Sequence, residues 1–87
     1  MDISYAMVDE FEASATATYT VSGDSLMIKN DGSTSAITVT VGDITFSVLK
    51  GETLGPDDMN FKRFKSVTVT CTSIAYRLFV YNKLVKQ

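Results

Sequence analysis

Ala36-Ile37-Thr38-Val39-Thr40-Val41-Gly42-Asp43-Ile44-Thr45-Phe46-Ser47-Val48-Leu49 decides the fold class. Apolar and hydroxyl side chains alternate on either side of Gly42-Asp43. A period of two puts one set of side chains on a buried face and the other in water, which is the signature of a β-strand. Two residues with glycine first, between two alternating runs, predict an antiparallel hairpin closed by a type I′ or II′ turn.

The same alternation recurs outward from this hairpin. Thr16, Thr18 and Thr20 interleave with Ala15, Ala17 and Tyr19, and Thr68, Thr70 and Thr72 interleave with Val67, Val69 and Cys71. Threonine is β-branched and keeps a hydroxyl for water, so it suits the wet face of a strand. The pattern predicts strands over 13–21, 26–29, 36–41, 44–49, 65–72 and 75–81. Ser22-Gly23-Asp24-Ser25 and Asn30-Asp31-Gly32-Ser33 read as turns whose residues tolerate positive φ. Six to seven short strands imply an all-β domain, a small antiparallel β-sandwich or a partly open barrel.

Two stretches depart from this pattern. Residues 1–12 mix Asp2, Asp9, Glu10 and Glu12 with Ile3, Tyr5, Met7, Val8 and Phe11. They read as a short helix or as an arm that docks on a neighbour, set before a β-sandwich domain over 13–87. Residues 50–65 do not alternate and contain the only proline, Pro56. A connection of that length often carries function or crosses between sheets. The end, 82–87, reads as a short basic tail.

Composition removes several function classes. The 87 residues suffice for one domain of modest core size. No apolar run nears the ~18 residues that span a bilayer. The start, Met1-Asp2-Ile3-Ser4-Tyr5, lacks the basic and apolar regions of a signal peptide, so synthesis in a cytoplasm is expected. Histidine is absent and Cys71 is the only cysteine. Ser-His-Asp and Cys-His catalysis are therefore impossible, an internal disulfide is excluded, and a structural zinc site is not expected. Cys71 continues the row of Val67 and Val69 and reads as a buried, inert thiol. The five glycines stand singly and form no phosphate loop. Asn30-Asp31 and Asp57-Asp58 with Asn60 offer hard oxygen ligands, but neither matches a calcium spacing. No catalytic residue, metal or cofactor is expected.

Charge is segregated along the chain. Residues 1–58 carry ten acids and two bases, a net of −8, whereas 59–87 carry six bases and no acid, a net of +6. Either the strands interleave and mix these charges, or the module is dipolar and its acidic region meets a neighbour's basic one. Asn60-Phe61-Lys62-Arg63-Phe64-Lys65 interleaves bases with aromatics. It reads as a core plug of Phe61 and Phe64 with solvated Lys62, Arg63 and Lys65, or as a contact loop for single-stranded nucleic acid. The acidic balance of the whole chain argues against nucleic acid. Exposed tyrosines would suit a glycan, and Tyr5, Tyr76 and Tyr81 with Phe79 are the candidates. In the last predicted strand Tyr76, Leu78 and Val80 share one face, while Arg77, Phe79 and Tyr81 share the other. Either both faces are buried, or the second is covered by the N-terminal arm or by another subunit.

Leu26-Met27-Ile28-Lys29-Asn30-Asp31-Gly32, the hairpin around Gly42-Asp43, Lys50-Gly51-Glu52, the run from Phe64 to Thr70 and Ala75-Tyr76-Arg77 resemble small β-sandwich modules of tailed bacteriophage virions. Such modules occur in tail, baseplate, fibre and head-surface proteins. The resemblance spans 26–81 and implies a non-enzymatic virion protein that assembles with copies of itself or with a larger capsid or tail protein. A carbohydrate-binding module for host attachment is the alternative. The residues expected at an interface are Tyr5, Met7, Phe11, Phe79 and Tyr81, with Phe61, Lys62 and Arg63 as a loop contact.

Overall fold

The computed structural model describes residues 2–56, 58 and 61–86. Its elements are eight strands: β1 (Asp2–Ala13), β2 (Ala17–Gly23), β3 (Ser25–Asn30), β4 (Ile37–Val41), β5 (Ile44–Val48), β6 (Thr53–Leu54), β7 (Phe64–Thr70) and β8 (Tyr76–Lys86). They form two four-stranded antiparallel sheets, ordered β1-β8-β3-β6 and β2-β7-β4-β5. One hydrophobic core lies between them in a sandwich-like arrangement. Leu26, Ile28, Leu78 and Val80 enter it from the first sheet, and Val39, Val41, Val67 and Val69 from the second. Leu78 and Val39 have no exposed surface. Truncating a side chain buried like Leu78 to alanine costs about 2–5 kcal/mol, a large share of a small domain's stability.

The predicted hairpin is present. β4 and β5 pair from Ile37–Val48 to Val41–Ile44 across Gly42-Asp43. Gly42 has φ +59° whereas Asp43 is not in the left-handed region, which selects the II′ form. The threonines line the outer face of the second sheet. Thr18 and Thr68 share a 3.0 Å hydroxyl hydrogen bond across β2 and β7, and Thr40 and Thr45 a 3.1 Å one across β4 and β5.

Elsewhere the structure corrects the sequence reading. Residues 2–13 form neither a helix nor a loose segment; β1 pairs with β8 from Asp2–Lys86 to Ala13–Tyr76, with a bulge between Met7 and Asp9. That bulge shifts the phase of the alternation, which hides the strand from a period-two reading. The strand expected over 13–21 is two strands, divided where 14–16 carries the chain from one sheet to the other. Alanines at 13, 15 and 17 keep the period through this crossing and conceal it. The unalternating stretch 50–65 contains β6, which pairs Thr53 and Leu54 with Lys29 and Ile28. The basic end is strand as far as Lys86, and Gln87 lies outside the described residues. These additions raise the count from six or seven strands to eight.

Two local expectations also change. Asn30, Asp31 and Gly32 do not use positive φ. Asn30 is fully buried and works through its amide, donating to the carbonyls of Ser35 (3.0 Å) and Val48 (3.1 Å) and accepting from the Gly32 N–H (2.8 Å). Cys71 lies just past β7 and is half-buried at the edge of the core rather than within it. Its N–H donates to Thr16 Oγ1 (3.1 Å), and that hydroxyl donates back to the Cys71 carbonyl (3.0 Å).

Candidate functional site

β1 and β8 outlast their sheet. Ser25, at the start of β3, pairs with Tyr81, so the pairs from Ala6–Asn82 to Asp2–Lys86 have no third strand beside them among the described residues. They form a two-stranded ribbon at one end of a molecule measuring 43 × 22 × 20 Å. Asp24 fixes the base of this ribbon: its N–H donates to the Tyr81 carbonyl (3.2 Å) and its carboxylate accepts from the Lys83 N–H (2.7 Å).

The ribbon and the first sheet share an outer face. Tyr76, Leu78 and Val80 are buried in the core, so Arg77, Phe79 and Tyr81 point outward. Side chains of directly paired residues share a face. Phe79 is paired with Met27 on one side and Glu10 on the other, and Tyr81 with Met7. Tyr5 meets the Tyr81 ring edge-on at 6.0 Å. Tyr5, Met7, Met27, Phe79 and Tyr81 thus form one apolar patch, with Met7 54% exposed. Four of the five interface candidates are together there. β1 lies beside β8 in the sheet, so it widens this face instead of covering it.

The fifth candidate, Phe11, is elsewhere. It pairs with Leu78, points inward, and stacks on Tyr19 with ring centroids 4.2 Å apart. That contact ties β1 to the second sheet and makes Phe11 part of the core wall. Met27 was missed by sequence reasoning, although its place between inward Leu26 and Ile28 marks it as an outward apolar residue.

A second feature lies at the end of the sheets where the ribbon begins. A groove of about 670 Å³ runs between the Val41–Ile44 turn and residues 61–66. Phe61 packs against Phe46 and Phe64, each with centroids 6.1 Å away, so the expected plug exists. Phe64 is buried, while Lys62, Arg63 and Lys65 are exposed. Arg63 donates to Asn82 Oδ1 at 3.1 Å, which joins this loop to the ribbon. Asp57 and Asn60, considered above as ligands and as part of the contact loop, lie outside the described residues. Asp58 accepts the Gly55 N–H at 2.6 Å and so closes a turn.

Antiparallel pairing mixes the segregated charges. Arg77 grips Asp31 through two hydrogen bonds of 2.9 and 3.0 Å, and Lys29 lies 3.8 Å from the same carboxylate. The Arg77 hydrogen bond, opposed in part by burial, holds the Asp31 carboxyl below its usual range. The tyrosines do not form an exposed platform: Tyr76 is buried and Tyr5, Tyr19 and Tyr81 are half-buried. Among the described residues no group of three His, Cys, Asp or Glu side chains could hold a metal ion. Among the described residues no helix is long and apolar enough to cross a membrane.

No family model matches the chain, and neither a curated protein nor a solved structure does.

Proposed function

We propose that this protein is a non-catalytic structural module of a virion, of the tailed-bacteriophage kind its sequence resembles. It assembles through protein–protein contacts, with copies of itself or with a larger capsid or tail protein. The observation that carries this reading is the outer face of the first sheet, where Tyr5, Met7, Met27, Phe79 and Tyr81 lie side by side with no element over them among the described residues. A solvated strand face normally carries charges or hydroxyls, as the second sheet's does, and a contiguous apolar patch rimmed by charges marks an interaction surface. Glu10, Glu12, Lys29 and Arg77 supply that rim.

Size exclusion with light scattering tests the reading. Wild type is expected to run as a defined multimer that Phe79→Ser and Met7→Ser shift toward monomer without loss of the β-sheet circular dichroism signal. Removal of residues 1–12 is a poor substitute, because it would strip β8 of its neighbour. If both substituted proteins stay assembled, this face is not the interface. If wild type is a monomer at all concentrations, self-assembly is excluded and only the larger virion protein is left as partner.

A further inference from the structure

We infer that the end groove binds an extended acidic segment of a partner protein, with one aromatic or large aliphatic side chain as its anchor. This rests on the assembly reading and names the chemistry of a partner for it. The floor of the groove is apolar, built from Val41, Ile44, Phe61 and Phe64, and its volume of about 670 Å³ has room for one large side chain and adjoining backbone. Ile44 stands 39% exposed at the start of β5, an edge strand of its sheet.

One lip is cationic. Lys62, Arg63 and Lys65 line it, and among the described residues none of the three has an ion pair. Arg63 commits one N–H to Asn82 and keeps others free. Three unpaired cations beside an apolar floor are complementary to carboxylates flanking an apolar side chain. Asp43, on the hairpin side, gives the opposite lip the opposite sign and so favours one orientation of the bound segment.

A single-stranded nucleic acid meets this groove less well. Base stacking needs a free aromatic face. Phe61 is half-buried, with its ring engaged by both Phe46 and Phe64. Asp43 would also oppose a continuous polyanion.

The experiment is fluorescence anisotropy on the full chain, with three labelled probes. One is a short peptide alternating glutamate and phenylalanine, one alternates lysine and phenylalanine, and one is oligothymidylate. The first is expected to bind saturably and to weaken with added salt. Lys62→Glu combined with Lys65→Glu should weaken it by about tenfold, since both side chains are exposed rim charges. Ile44→Thr, which keeps a β-branched residue in the strand, should weaken it without changing the salt dependence. Absence of saturable binding, equal binding of the lysine peptide, or indifference to the double charge reversal overturns the proposal. Binding of oligothymidylate in place of the acidic peptide overturns it in favour of nucleic acid. Light scattering on the same samples reads self-assembly through the other face, so the two readings can fail separately.

Discussion

Tyr19 and Tyr76 join the two sheets through a 2.6 Å hydrogen bond between their hydroxyls. Tyr76 also donates to the Ala15 carbonyl at 3.1 Å. A phenol has one proton, so Tyr19 must be the donor in the shared bond. The chain of three groups therefore runs from β2, through β8, to the crossing between β1 and β2.

Tyr76→Phe removes both of these bonds while keeping the ring in the core. The expected loss is about 1–2 kcal/mol, because the freed Tyr19 hydroxyl and Ala15 carbonyl can both reach water. A urea titration measures it. Burial first, and then the hydroxyl bond from Tyr19, hold the Tyr76 phenol above its ordinary value. A raised folded-state value means stability that is complete below the unfolded value of about 10 and is lost as pH rises beyond it. Wild type should thus lose stability in alkali more steeply than Tyr76→Phe. Parallel curves for the two proteins would contradict this.

Asp31 works at the other end of the pH scale. Its carboxyl is held low mainly by the Arg77 hydrogen bond, so its contribution is present above the unfolded value and is lost as pH falls through the folded one. Both side chains are partly exposed and water screens the pair. Arg77→Gln should therefore change the urea midpoint little at low pH, where Asp31 is protonated, and lower it modestly at neutral pH. An equal loss at both would assign the effect to packing instead of charge.

Asn30→Asp is expected to be among the most damaging single changes. The amide NH2 feeds two carbonyls, and an aspartate would face both with oxygen while burying a charge. The cost should be about 3 kcal/mol or more. Chemical denaturation of the variant checks this, and a loss within experimental error would mean the 31–36 loop can rearrange freely.

Gly23→Ala and Gly42→Ala form a matched pair. A methyl at Gly23 would lie 2.6 Å from Val80 Cγ1 and 2.9 Å from the Tyr81 carbonyl oxygen. The backbone atom cannot swing away, so a loss of about 1–3 kcal/mol is expected from overpacking. A methyl at Gly42 meets nothing within 4 Å, and its cost of about 1–2 kcal/mol comes from the left-handed φ alone. Rescue by trimming the neighbour, as in Val80→Ala, should help Gly23→Ala in part and Gly42→Ala not at all.

The β4–β5 hairpin and the wet threonine faces were legible in the sequence because both depend on local period and on one turn. The same period set Tyr76, Leu78 and Val80 on one face of the last strand and Phe79 and Tyr81 on the other, whereas the burial of Tyr76, also considered as an exposed glycan contact, was shown only by the structure. β1 was not legible, since its alternation breaks at the bulge after Met7. β6 was not, since a two-residue strand has no period and exists only because β3 offers it an edge. Phe11 and Tyr5 look alike in the sequence as apolar residues of one acidic segment. The bulge between them helps set one against Tyr19 in the core and the other against Tyr81 on the outer face.

By itself, then, the sequence determined the class of structure, the central hairpin, and which side of the last strand is apolar. These follow from steric and solvation preferences that act between near neighbours. Tertiary structure alone decided that β1 flanks β8 rather than covering it, that Asn30 is a buried hub, and that segregated charges pair as Arg77 with Asp31. Each of these depends on contacts between residues distant in the chain, whose formation is decided by the packing of two whole sheets and not by the residues nearby.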